Sequence, residues 1–264
     1  MTHSLQSQLH EALAATEIEQ KLALTAALQQ AWHAAQDPLA AWQTLPVRCG
    51  VPAKPPLVGH KDVPQRSAHA AEGRARLLHA IAHIEFTAIN LALDHAARFA
   101  GMPRAYYDDW IDVAAEEASH FVLIRERLRA YGHEYGDFPA HASLWQMAER
   151  TAHDPLARMA LVPRMLEARG LDATPPIQRK LIEAGDTESA SALDVILNDE
   201  IGHVGLGDRW FKHLCGQRDL DPENTYRELL MTHHAPKQPV NLNLAARLKA
   251  GFSERELAML SKKM

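Results

Sequence analysis

Apolar residues recur every three or four positions along most of the chain and almost never alternate, so the pattern is helical throughout. Leu5, Leu9, Leu13, Leu22, Leu24 and Leu28 predict one or two amphipathic helices over residues 4–35. Four longer patterned stretches follow. The first covers 67–100 and stops near "AGMP", where Gly101 and Pro103 signal a C-terminus. The second covers 103–131 and ends at Gly132, and the third covers 154–171, with Asp154 as N-cap and Pro155 at the first helical position. The fourth covers 186–215, and Pro163 predicts a kink in the third.

The stretches between are punctuated differently. Residues 37–66 hold Pro38, Pro46, Pro52, Pro55, Pro56 and Pro64, which predict an extended tether lying over a surface. Residues 133–153 are irregular, with one short helix at "SLWQMAER", and "PPIQRKLIEAG" reads as a separate short helix. Short outer helices over 222–264 are joined by "HAPKQPV". The expected fold class is all-α. A helical arm and proline-rich tether (1–66) precede a body of four long helices (67–216), and a C-terminal helical extension (217–264) packs on that body.

Acids and histidines fall where this pattern forbids them. Positions i, i+3, i+4 and i+7 share a helix face. On the second long helix the apolar stripe Trp110, Val113, Ala114, Phe121, Ile124, Leu128 also contains Glu117 and His120. On the fourth, Leu193, Ile196, Leu197, Val204, Trp210 and Phe211 share a face with Glu200 and His203. Glu85 lies among Leu78, Ile81, Ala88 and Ala92 of the first, and Glu167 beside Leu156, Met159, Pro163 and Leu166 of the third. A buried carboxylate is costly unless it is paired or ligates a metal. No lysine or arginine interrupts the four stripes, so two metal ions are the natural source of compensating charge.

The spacing sharpens this. "EEASH" (116–120) and "DEIGH" (199–203) each place an acid, a glutamate and then a histidine three residues later. One Glu-x-x-His pair is expected by chance in a chain with this many glutamates and histidines, about one in all, so the preceding acid and the wider spacing carry the weight. Glu85 to Glu117 is 32 residues and Glu167 to Glu200 is 33, which suits two matching helical hairpins.

Composition narrows the setting. The chain has 264 residues, 47% of them hydrophobic and 23% charged, an ordinary soluble balance with ample material for a core. A net charge of -5 offers no general attraction to nucleic acid or to an anionic membrane. Cys49 and Cys215 are the only cysteines and form no CxxC pattern, so neither a disulfide framework nor a cysteine zinc site is expected. The polar N-terminus lacks the apolar run of a signal peptide, and no window approaches the roughly 18 apolar residues of a membrane span. A cytoplasmic location is the expectation.

The Glu, Glu-x-x-His, Glu, Glu-x-x-His order over 67–215 resembles the ferritin-like di-iron carboxylate proteins, in which two helices give one glutamate each and two give Glu-x-x-His. The long interval between His120 and Glu167 matches that fold's one long crossover, which implies a ferritin-like four-helix bundle. More narrowly, "HAIAHIEFTAINLALD", "LEARGLDATP" and "NDEIGHVGLGDRWF" are similar to the ferritin-like family of unknown function numbered 455, with tRNA-modifying di-iron hydroxylases as distant relatives. The resemblance implies six metal ligands, Glu85, Glu117, His120, Glu167, Glu200 and His203, with Glu117 and Glu200 bridging. It also implies that Asp199 orients His120 and Glu116 orients His203 from the second shell. Glu116 departs from the usual aspartate there.

Oxygen-rich ligands with two imidazoles favour iron, with manganese, mixed iron–manganese and zinc left open. The function expected is a dioxygen-activating di-iron oxidoreductase, an oxygenase or hydroxylase of a small-molecule or modified-base substrate. An oxidase or peroxidase, and a non-catalytic metal-binding structural protein, stand as alternatives. With no CxxC centre in the chain, electrons would come from an external donor. Nucleic acid is not indicated as a partner, no membrane is expected, and a homodimer stays open. Other features read as ordinary structure. His79 and His83 are expected on the surface or behind the ligands, Tyr106 and Tyr107 as packing near a helix start, and Arg125, Arg127 and Arg129 as solvated. The glycines of "GHVGLG" (202–207) are expected to allow close helix packing or to line an access path.

Overall fold

The computed structural model describes residues 4–37, 39, 42, 43, 45–63, 67–236 and 241–261. Pro38 and Pro64 of the tether, and 237–240 of the "HAPKQPV" connector, lie outside the described residues. Every regular element among the described residues is helical, as the periodicity requires. None of these helices is long and apolar enough to cross a membrane. The chain divides into two compact units, Met1–Trp145 and Gln146–Met264.

The first unit is built on a helical hairpin, α3 (Ala71–Arg98) and α4 (Arg104–Ala130). The short turn between them contains Gly101 at φ +80°, a backbone conformation that side chains disfavour, and it sends α4 back along α3. Leu78, Ala82, Ile89, Leu93 and Ala96 are buried from α3, and Trp110, Ile111, Ala114, Phe121, Ile124 and Leu128 from α4. Each large apolar side chain so buried contributes about 1.5–3 kcal/mol, which is what holds two long helices in register.

Helices α1 (Leu5–Ala14) and α2 (Ile18–Ala34) pack on this hairpin. Leu9, Leu13 and Leu28 are buried as the pattern predicted, but Leu22 and Leu24 are half-exposed. The face of α2 that turns inward is Lys21, Thr25, Leu28 and Trp32. Lys21 Nζ donates to the carbonyls of Ala12 (2.9 Å) and Leu13 (2.8 Å), capping the C-terminal end of α1. The Trp32 indole donates to Asp108 Oδ1 at 2.7 Å. The tether is extended and is pinned where Val58 N–H donates to the Ala140 carbonyl and Ala140 N–H to that of Pro56. A short 3-10 turn, His60–Asp62, follows.

Residues Ser143–Arg150 form α5, the short helix expected at "SLWQMAER". In the second unit, α6 (Pro155–Leu161) opens at Asp154, whose side chain accepts from Leu156 N–H. Beyond it the outcome differs from the prediction. The kink at Pro163 is realised as a wider π-helical turn, Val162–Glu167, which runs directly into α7 (Ala168–Glu183). "PPIQRKLIEAG" is therefore not a separate helix, and Pro175 and Pro176 sit inside α7. Pro175 cannot donate to the Leu171 carbonyl, and Asn243 Nδ2 donates to it instead at 3.1 Å.

Helix α8 (Thr187–Gln217) packs along α6, the π turn and α7. The packing is tight at Gly207, where an added Cβ would lie 2.6 Å from Pro163 Cβ. This bears out the close-packing reading of one of those glycines. Helices α9 (Pro222–Thr232), α10 (Leu244–Lys249) and α11 (Glu254–Ser261) complete the unit.

Two fully buried arginines tie these outer helices down. Arg164 donates to Asp208 Oδ1 at 2.8 Å and pairs with Glu256, with its guanidinium over the rings of Tyr226 and Phe252. Arg247 pairs with Asp172 at 2.7 Å. Charges this deep are tolerated because each is paired.

Candidate metal centre

The middle of the α3–α4 hairpin holds an acidic cluster. Glu85 projects from α3, and Glu117 and His120 project from α4, one turn apart. Their exposures are 3%, 1% and 3%. His120 Nδ1 stands 3.5 Å from a carboxylate oxygen of Glu85 and 3.5 Å from one of Glu117. Three potential ligand atoms, one from each residue, lie within 4.8 Å of one another. That span is close to what two metal–ligand bonds of about 2.2 Å bridge, so the residues fit a first-row ion with oxygen and imidazole donors.

The electrostatics are those of a site short of positive charge. Burial drives the Glu85 carboxyl up to about 7, the neighbouring Glu117 charge adding to this and His120 opposing it. Burial disfavours a charged His120, but Glu117 and Glu85 overcome that, and the imidazole is held well above its ordinary range. Both shifts favour the protonated forms, which offset the buried negative charge as a cation would.

In the second unit, Glu200 and His203 occupy the buried face of α8, one turn apart, with Ile196, Val204 and Gly207 on the same side. Glu167 ends the π-helical turn and is half-exposed. It joins no close group of three potential ligands among the described residues. Glu116 and Asp199 are exposed, and Glu116 lines a shallow surface groove with Leu22, Ala26 and Gln29 of α2.

The neighbouring residues can be placed against their sequence reading. His79, expected on the surface or behind the ligands, is buried at 1% exposure. Its Nε2 accepts from Gly136 N–H at 3.0 Å, and its ring stacks on Tyr135. His83 Nδ1 meets the Tyr135 hydroxyl at 2.9 Å, and burial lowers the imidazole to about 4. Arg125 is not solvated, since it bridges Glu19 and Glu134. Tyr106 and Tyr107 are buried packing residues, their hydroxyls donating to the carbonyls of His95 and Phe99. Sequence reasoning missed the buried Arg158, Arg164 and Arg247 altogether, and no periodic signal marks them.

The chain is 51% identical over 213 residues to an uncharacterized protein of Haemophilus influenzae, an alignment covering 78% of this chain and 74% of that one. No solved structure matches it. Residues 14–258 match the profile of a family described as protein of unknown function, DUF455, and the chain belongs to that family.

Proposed function

We propose that Glu85, Glu117, His120, Glu167, Glu200 and His203 hold two metal ions, most simply iron, in a ferritin-like four-helix bundle of α3, α4, the α6–α7 helix and α8. In this reading the bundle occupies 67–216, the N-terminal arm and tether 1–66, and the C-terminal extension 217–264. The observation that carries it is the buried Glu85–Glu117–His120 cluster, whose three donors lie close enough for one ion. The matching Glu-x-x-His pair on the buried face of α8 supports a second ion, which Glu200 and His203 would hold.

Two redox-active ions held by these residues would supply the two-electron chemistry with dioxygen that protein side chains alone lack. The residues do the rest. Glu85 and Glu117 provide the hard anionic oxygens that favour iron or manganese over softer metals. His120 Nδ1, turned toward both carboxylates, is the nitrogen available as ligand. Apolar neighbours Phe121, Ile124 and Ile89 exclude water from the cluster. The π-helical turn widens the backbone at Glu167, a distortion common at functional sites. We assign the activity as oxygenation or hydroxylation of an organic substrate, with electrons from an external donor.

The test is elemental analysis followed by anaerobic ferrous titration and an oxygen pulse watched by absorption. Two irons per chain and an oxygen-dependent absorption change are expected. Glu117→Ala should lose both metals. Two metals retained in that variant, or tightly held zinc with no response to oxygen, would overturn the proposal.

A further inference from the structure

Glu167 is the one residue of the proposed ligand set that stands on irregular backbone, and its direction depends on the π-helical turn that it ends. A π turn closes hydrogen bonds five residues apart instead of four, and so carries one residue more than the α turn it replaces. If Val162–Glu167 relaxed to α-helix, Glu167 would rotate by about 100° relative to α6. Metal–ligand bonds are about 2 Å long, so a carboxylate swung that far is lost as a donor. The proline alone does not fix the turn. Pro163 has no N–H to give the Met159 carbonyl, and its ring crowds that carbonyl. This breaks the α ladder without choosing what replaces it.

Arg164 supplies the choice. Its side chain leaves the middle of the turn and is fully buried, with Nε donating to Asp208 Oδ1 of α8 at 2.8 Å and Nη2 to Glu256 Oε1 of α11. Both carboxylates are themselves fixed at the second oxygen. Lys212 holds Asp208 Oδ2 at 2.7 Å. Glu256 Oε2 accepts from Ser253 N–H at 2.8 Å, in a capping box closed by Glu256 N–H on Ser253 Oγ. The backbone of the turn is seated as well, since a Cβ added to Gly207 would stand 3.1 Å from Arg164 N. Gly207 lies seven residues, two helical turns, beyond Glu200 on the same face of α8. Just past Glu167, Arg247 of α10 donates to the Ala168 carbonyl at 3.3 Å and pairs with Asp172. Two buried ion pairs thus bracket Glu167, and each of them draws on the C-terminal extension.

We propose that Arg164 is a positioning residue for the second ion. It locks the π turn in register against α8, so that Glu167 turns to the side of Glu200 and His203, and α10 and α11 serve as the outer scaffold of the site. This rests on the reading of Glu167, Glu200 and His203 as ligands. Every residue in the argument belongs to the second unit.

The probe is cobalt(II), whose visible absorption reports the number and kind of its ligands, titrated anaerobically into the full-length protein stripped of metal. Arg164→Gln removes the clamp and leaves the donor in place, and should weaken one of two cobalt ions by about 10–100-fold, the usual effect of losing a ligand's outer support. Glu167→Gln removes the donor itself and should weaken the same ion at least as much, with the same shift of its bands. The double variant decides the matter. If Arg164 acts through Glu167, adding Arg164→Gln to Glu167→Gln should change neither affinity nor bands further. Should Arg164→Gln fold poorly, Glu256→Gln keeps Arg164 and its Asp208 partner and should give the same band shift in smaller measure. Leu230→Ala, at a buried site on α9, is the stability control: it should lower the urea midpoint and leave the bands in place. Wild-type bands in both Arg164→Gln and Glu256→Gln, an equal band shift in Leu230→Ala, or losses that add in the double variant would overturn the positioning role and leave the metal reading intact. A Glu167→Gln protein that binds two cobalt ions as the wild type does would remove Glu167 from the ligand set, and the proposal with it.

Discussion

Replacing Glu85 by glutamine should stabilise the protein once metal has been stripped from it, and by an amount that depends on pH. Glu85 is buried against Glu117 and His120, and its carboxyl titrates at about 7 instead of 4.5. Between those values the folded protein keeps a proton that the unfolded chain has released. Stability therefore falls as pH rises through this window, being fully present below 4.5 and lost above 7. The interval of 2.5 pH units at about 1.36 kcal/mol each is about 3 kcal/mol, an upper figure because Glu85 shares its proton with its neighbours. Glu85→Gln removes the titration and keeps the shape. In urea melts of chelator-treated protein, the variant should match the wild type near pH 4.5 and exceed it by about 1–3 kcal/mol at pH 8. With metal restored the order should invert, since a bound ion stabilises only the chain that can hold it. A wild type more stable than Glu85→Gln at pH 8 in the stripped state would refute the reasoning, because the carboxylate would then have a structural partner that compensates its burial.

Two further predictions concern the second unit. Asp172→Ala leaves Arg247 buried and deprived of its 2.7 Å partner, and should cost about 3–5 kcal/mol in denaturant melts. A change within about 0.5 kcal/mol would mean that the pair contributes nothing net. Gly207→Ala drives a methyl to 2.6 Å from Pro163, and should destabilise by about 1–3 kcal/mol, whereas Gly202→Ala, with nothing within 4 Å of the added Cβ, should be neutral or slightly stabilising in the same melt.

Much of this protein is legible in its sequence because it is local. Helical periodicity is a property of neighbouring residues, and it placed α3, α4 and α8 to within a few positions of their ends. The Asp154 cap and the stop at Gly132 follow from turn chemistry that the residues carry with them. That Glu85, Glu117, His120, Glu200 and His203 would be buried was equally visible, because each lies on an apolar stripe.

The rest was decided by residues far apart in the chain. A double proline reads as a helix stop, yet α7 runs through Pro175 because Asn243, 72 residues beyond Leu171, donates to the carbonyl that proline leaves without a backbone donor. Arg164 and Arg247 carry no sequence signal of burial, and in the fold Asp208, Glu256 and Asp172 meet them in the interior. The pattern leaves His79 either on the surface or behind the ligands, and burial is settled by the Gly136 N–H that reaches it from the segment after α4. In each case local pattern predicts the cost of placing a polar group inside, and only the tertiary fold supplies the partner that cancels it. Periodicity therefore determines which faces turn inward, while the pairing of what they bury depends on which distant donors and charges the fold brings within hydrogen-bonding distance.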